Sequence, residues 1–214
     1  NGQVDGFCVG APWNSVAVES GFGRILHFSC AIMARTSEKV LAVREPWANA
    51  NPETLAALLQ ALTDAGNFIS DSANQHAVAV SLSRRFDVDA EVIARTLAGN
   101  LKLATDGAER SDRRYLMISG PDANRPDPVQ AAWLYAQIAR WQQAPLSDDM
   151  RIAAQAVFRS DIYDAAIGAA PCKPEPFDGV GAFVGPQFDA DDVAGYVASW
   201  RGKHEPVVPM RVVR

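Results

Sequence analysis

The sequence predicts an α/β fold with few strands at its start and mostly helices afterwards. Three observations predict it. The stretch "NGQVDGFCVGAPWNSVAVESGFGRILHF" reads as an apolar run, a Gly-Pro turn, a brief helix and a second apolar run. Leucines at helical spacing follow behind a strong start signal near Asn51. From Gly168 onward, glycine and proline dominate and regular structure fades.

Val4, Phe7 and Val9 lie in a run rich in β-formers, which predicts a buried strand. Gly10 frees the backbone and Pro12 fixes φ for a helix start. A short helix over 15–20 is stopped by Gly21 and Gly23, and 25–28 predicts a second strand. Strand, short crossover and strand make a βαβ-like unit, whose ligands bind at the carboxyl ends of the strands. Gly10 stands at such an end, so it is a candidate for presenting its N–H to an anion; it is equally the residue that a tight connection needs.

Val40 to Val43 is a short strand candidate with Lys39 at its entrance. Asn51 as N-cap, Pro52 at N1 and Glu53 in the first turn predict a helix, with Leu55, Leu58, Leu59, Leu62 and Ile69 on its apolar face. Two more helices follow over 75–86 and 88–97, divided around Asp87. Residues 106–128 are loop-rich, with 115–118 extended. Asp127 and Pro128 open a helix whose expected apolar face is Ala131, Leu134, Ile138 and Trp141. Another helix begins at Ser147, and a short one near Asp161. The Gly/Pro tail is expected to strap over the helices through Phe177, Phe183 and Phe188, before a last helix that ends ahead of Gly202. No repeat recurs at a fixed period. The strands are too few for a sheet of their own, so the sequence reads as the second part of a larger protein.

Composition excludes several classes. The net charge is −5 and the only basic clusters are Arg84–Arg85 and Arg113–Arg114, which argues against a nucleic-acid binder. No apolar run approaches bilayer-spanning length. Three cysteines without a CxxC spacing (Cys8, Cys30 and Cys172) argue against a disulfide framework or a zinc knuckle. Cys8 is expected as a small buried hydrophobe, and no metal or other cofactor is expected. His27, His76 and His204 show no ligand spacing.

"DGFCVGAPWN", "SEKVLAVREPWANANPETLAALLQAL", "WLYAQIARWQQAP" and "VFRSDIYDAAIG" resemble, in that order, the carboxyl-terminal half of the nitrate-binding proteins of ABC transporters. That group includes a bicarbonate-binding paralogue and cytoplasmic nitrate/nitrite sensors. The resemblance implies part of a periplasmic-binding-protein-type fold, a two-lobed clamp that closes on its anion. It implies that 1–44 is the α/β segment returning to lobe one, 45–167 the helical portion and 168–214 an irregular carboxyl-terminal strap. It implies two ligand-binding residues: Gly10 through its amide and Lys39 through its charge. Lysine offers a positive charge and three donors, and nitrate has only acceptors to offer in return. By spacing alone, Lys39 reads as a solvated charge. Trp13 and Trp47 read as core residues rather than cleft borders.

The resemblance implies binding rather than catalysis. The expected function is that of the nitrate- or nitrite-binding component of an ABC importer, in the periplasm or anchored there and partnered by the permease. The second reading is a cytoplasmic nitrate/nitrite sensor acting on a regulatory protein. Ala11 points that way, because transporter-type proteins have Glu between the Gly and the Pro. A hydrolase using Cys8 or Ser15 is the remote alternative.

Overall fold

Helix-start chemistry sets the architecture. The computed structural model describes residues 4–35, 37–168 and 180–201. Ten helices are seen among them: α1 Trp13–Glu19, α2 Glu45–Ala50, α3 Pro52–Ser70, α4 Gln75–Phe86, α5 Ala90–Ala98, α6 Pro121–Asn124, α7 Pro128–Arg140, α8 Asp148–Ala156, α9 Ser160–Ile167 and α10 Val193–Arg201. Asp89, Asp127 and Ser147 each accept a backbone N–H at the start of α5, α7 and α8, which satisfies amides that the helix itself leaves unpaired. Asn51 stands at the start of α3 without capping it; its side-chain amide donates back to the Trp47 carbonyl.

A single 3-10 turn at Ser29–Ala31 and two short strands join these helices among the described residues. β1 Asn100–Lys102 pairs antiparallel with β2 Glu109–Ser111, with Leu101 opposite Arg110. Gly107, at φ +88°, supplies the left-handed residue of the connecting turn. Gly99 ends α5 at φ +71°, and its carbonyl accepts from Asp112, so the hairpin is tied to the end of the helix.

The expected sheet is therefore corrected. Residues 4–9, 25–28 and 40–43 form no strand, and Val4, Phe7, Val9, Leu26, Val40, Leu41 and Val43 are exposed. A strand needs a hydrogen-bonding neighbour, and these segments have no ladder among the described residues. From these segments Ile25 donates its backbone N–H to the Leu103 carbonyl at 2.8 Å, next to the hairpin. The buried role expected for Cys8 fails with its strand, since Cys8 is exposed. Trp13 is exposed as well, and Trp47 half-buried.

The chain divides into two units. The first draws on Asn1–Ile32, Ser37–Arg125 and Asp161–Pro174. Its core has two clusters. Ala79, Val88, Val92 and Ile93 join α4 to α5, with Val16 of α1 against them. Phe28, Cys30 and Leu101 form the other, bordered by Ile25, Leu103 and Tyr115. Phe28 meets Tyr115 edge-on at 4.9 Å, and the Arg110 guanidinium lies over the Phe28 ring at 4.4 Å from its centre. The leucine face expected on α3 is only partly used: Leu55 is buried, while Leu58 and Leu62 are exposed.

The second unit draws on Met33–Thr36, Pro126–Ser160 and Glu175–Arg214. Here α7 packs against α8 and α10 through Tyr135, Ala136, Ala139, Val193, Tyr196 and Val197. The Tyr135 hydroxyl donates to the Pro145 carbonyl and accepts from the Ser147 amide. The expected α7 face is corrected: Ala131 is buried, but Leu134, Ile138 and Trp141 are exposed. Of the expected strap, Phe188 packs on the core, Phe183 is half exposed, and Phe177 lies outside the described residues, as do Cys172 and His204.

Candidate functional site

The candidate residues lie within the first unit, on three stretches of chain. Helix α1 is fixed first. Its buried Ser15 hydroxyl meets that of Thr96 at 3.4 Å, Val18 is buried, and Glu19 pairs with Arg95 of α5 and with Lys102 of β1. This anchoring sets the position of the "GAPWN" turn that leads into α1. Within the turn, the Trp13 amide donates to the Gly10 carbonyl at 3.2 Å. Asn14 donates its side-chain amide to the Tyr115 hydroxyl at 2.5 Å. Tyr115 thus accepts from Asn14 and keeps its own proton for another acceptor.

The stretch from Glu38 onward passes over this turn. A Cβ built on Gly10 would strike the Glu38 carboxylate and lie 3.2 Å from Nζ of Lys39. Gly10 and Lys39, some thirty positions apart in the sequence, are therefore neighbours. Lys39 is largely exposed and forms an ion pair with Glu38. No described group accepts from the Gly10 N–H. Burial pushes the Tyr115 hydroxyl above the usual tyrosine range, opposed by the bond from Asn14 and reinforced by the charge of Glu38.

Lys39 brings an ammonium close to Gly10, and the Tyr115 hydroxyl is tied to Asn14 of the same turn. Ser15 cannot serve as an activated nucleophile here, because its hydroxyl neighbour is Thr96 and not a base. Among the described residues, no group of three or more His, Cys, Asp or Glu could hold a metal. None of the described helices is long and apolar enough to cross a membrane.

Sequence reasoning missed Glu38, Asn14 and Tyr115. Two of them stand inside stretches already singled out, beside Lys39 and within "GAPWN". Tyr115 lies far along the chain, and no local pattern marks it.

Residues 1–83 match the model of the NMT1-like family. The chain is 29% identical to the nitrate import ATP-binding protein NrtC of Synechococcus elongatus, over 94% of this chain and 31% of that protein. It is likewise 29% identical to the bicarbonate transport ATP-binding protein CmpC of the same species, over 93% of this chain and 30% of that protein. The crystal structure of the periplasmic nitrate-binding protein NrtA from Synechocystis superposes with a TM-score of 0.81 at 25% identity, covering 90% of this chain and 52% of that one. The chain thus spans about a third of the transport ATP-binding proteins that it matches and about half of the nitrate-binding structure.

Proposed function

We propose that this chain is a nitrate-binding solute-binding protein, similar as it is to such proteins in sequence and fold, and that it carries part of the anion site of an ABC importer's solute-binding component. The anion is nitrate or nitrite, and the protein works on the periplasmic side with the permease as its partner. Lys39 supplies the charge and Gly10 a backbone N–H. A flat monoanion that only accepts hydrogen bonds is matched by donors alone, so no covalent chemistry is required.

The observation that carries this reading is the meeting of Gly10 and Lys39 in a chain whose fold superposes on a nitrate-binding protein. Nothing in the site favours the sensor reading beyond Ala11, and the relatives named above are described as transport or periplasmic components.

Calorimetric titration of nitrate into the natural full-length chain tests the reading. Wild type should bind, and Lys39→Glu should lose binding by about a hundredfold or more, because a charge-assisted bond becomes a like-charge contact. Equal affinities in the two proteins would remove Lys39 from the site. Absence of nitrate and nitrite binding in wild type would remove the function.

A further inference from the structure

The feature that the anion-binding reading leaves unexplained is Glu38. A carboxylate at an anion site is the wrong charge, yet this one lies where a Cβ of Gly10 would be and pairs with the ammonium that the anion needs. Neighbouring residues on a strand point to opposite faces. Residues 38–43 form no strand, and both side chains turn onto the same glycine.

We propose that Glu38 is a built-in stand-in for the ligand: its carboxylate holds Lys39 over Gly10 in the empty site, and an incoming oxyanion must displace it. The proposal rests on the anion-binding reading above. A carboxylate shares with nitrate the properties that matter to Lys39. Both are planar, both carry a single negative charge, and both only accept hydrogen bonds. The exchange is therefore between like partners. One carboxylate swings into solvent, one oxyanion takes its place, and the ammonium keeps a counter-ion throughout.

Two structural conditions for such an exchange are met. The pair is exposed enough for the carboxylate to leave without burying a charge, since the side chains of Lys39 and Glu38 keep 73% and 44% of their accessible surface. The space it vacates is bounded by Gly10, so no other side chain fills it from below. On this account Glu38 sets how tightly an anion must bind before it is held at all, and so tunes affinity and selectivity.

The test is nitrate titration by calorimetry on the natural full-length chain and its Glu38→Gln variant, which keeps the shape and removes the charge. Nitrate affinity should rise by about three- to tenfold in the variant, the size expected of one removed like charge near a protein surface. Glu38→Ala should give the same gain, guarding against an artefact of the glutamine amide. Adding Lys39→Met to Glu38→Gln should abolish the gain. Nitrate binding by wild type with unchanged or weaker affinity in both Glu38 variants overturns the proposal and leaves the anion-binding reading standing. Silence of wild type and both variants toward nitrate and nitrite overturns both. A silent wild type with binding variants supports the stand-in and places its occupancy beyond the reach of these anions.

Discussion

Cys30 and Cys8 are both free thiols, and their surroundings separate their chemistry. Burial pushes the Cys30 thiol above the usual cysteine range, and the adjacent Asp112 carboxylate pushes it further by its charge and by accepting from it. Attack on an alkylating agent needs the thiolate and an open path, and Cys30 has neither. In a Cys172→Ser background, iodoacetamide should label Cys8 in the native protein and Cys30 only after denaturation, as read by peptide mass spectrometry. Comparable native labelling of both would contradict the packing of Cys30 against Phe28 and Leu101. A second residue with a defined environment is Asp164. Hydrogen bonds from Arg125, at 2.7 Å to each carboxylate oxygen, hold its carboxyl below the usual range. A carboxyl with a depressed folded pKa contributes stability above its unfolded value, roughly 3.9, and loses it as pH falls through the folded value. Asp164→Asn should therefore destabilise the protein in urea at neutral pH, and the difference should shrink as the pH is taken below the unfolded value. A difference independent of pH would mean that the carboxylate charge is not what Arg125 uses.

At the scale of the element, α5 and its hairpin are the scaffold beneath the α1 turn, so their caps bear on the site. Asp89→Ala removes the bond to the Glu91 amide and should cost about 1 kcal/mol in chemical denaturation. Gly99→Ala should cost more, about 1–3 kcal/mol, because φ there is +71° and a Cβ would strike the Asp112 carbonyl. An unaffected midpoint in Gly99→Ala would show that the α5–β1 junction relaxes freely. These caps also show what was legible in the sequence. Asp127-Pro128 and Ser147 announce helix starts through chemistry confined to a few neighbouring residues, and the helices begin there. The face of α7 was not legible. Leu134, Ile138 and Trp141 satisfy the helical period as well as Ala132, Tyr135, Ala136 and Ala139 do, and which stripe is buried is decided by the packing of α10 on Tyr135, Ala136 and Ala139. The hairpin was hidden for another reason. β1 and β2 are three residues each and mostly polar, with Leu101 as the one buried side chain, so they carry no alternating pattern. The runs at 4–9 and 40–43 err in the opposite direction: they have strand composition, but pairing depends on distant chain. The proposed site draws on both kinds of signal. Gly10 and Lys39 were reached through family resemblance, whereas Tyr115 arrives from a loop that only the fold brings near.

At the scale of the whole molecule, the balance of apolar surface governs behaviour in solution. In the first unit, Val4, Phe7, Leu26 and Val40 are each more than half exposed, and Val9, Leu41 and Val43 are not far behind. Single exposed apolar residues are ordinary, but seven within forty positions of one unit are not. Their segments also form no strand, so their backbone groups stay available to a neighbouring chain that could pair with them. A second copy offers the same segments with the same unmet pairing. The 214-residue chain should therefore self-associate reversibly. Sedimentation velocity across a concentration series should show a monomer giving way to larger species. Phe7→Ser combined with Leu26→Ser and Val40→Thr should shift that transition to higher concentration. Far-ultraviolet circular dichroism should hold constant, because none of the three side chains belongs to a buried cluster. The two clusters that fold the unit would be untouched, while the surface that drives association would be reduced. Strict monomers at every concentration, or association indifferent to the triple variant, would mean that this surface does not attract another copy and that the extended segments are adequately satisfied by water alone.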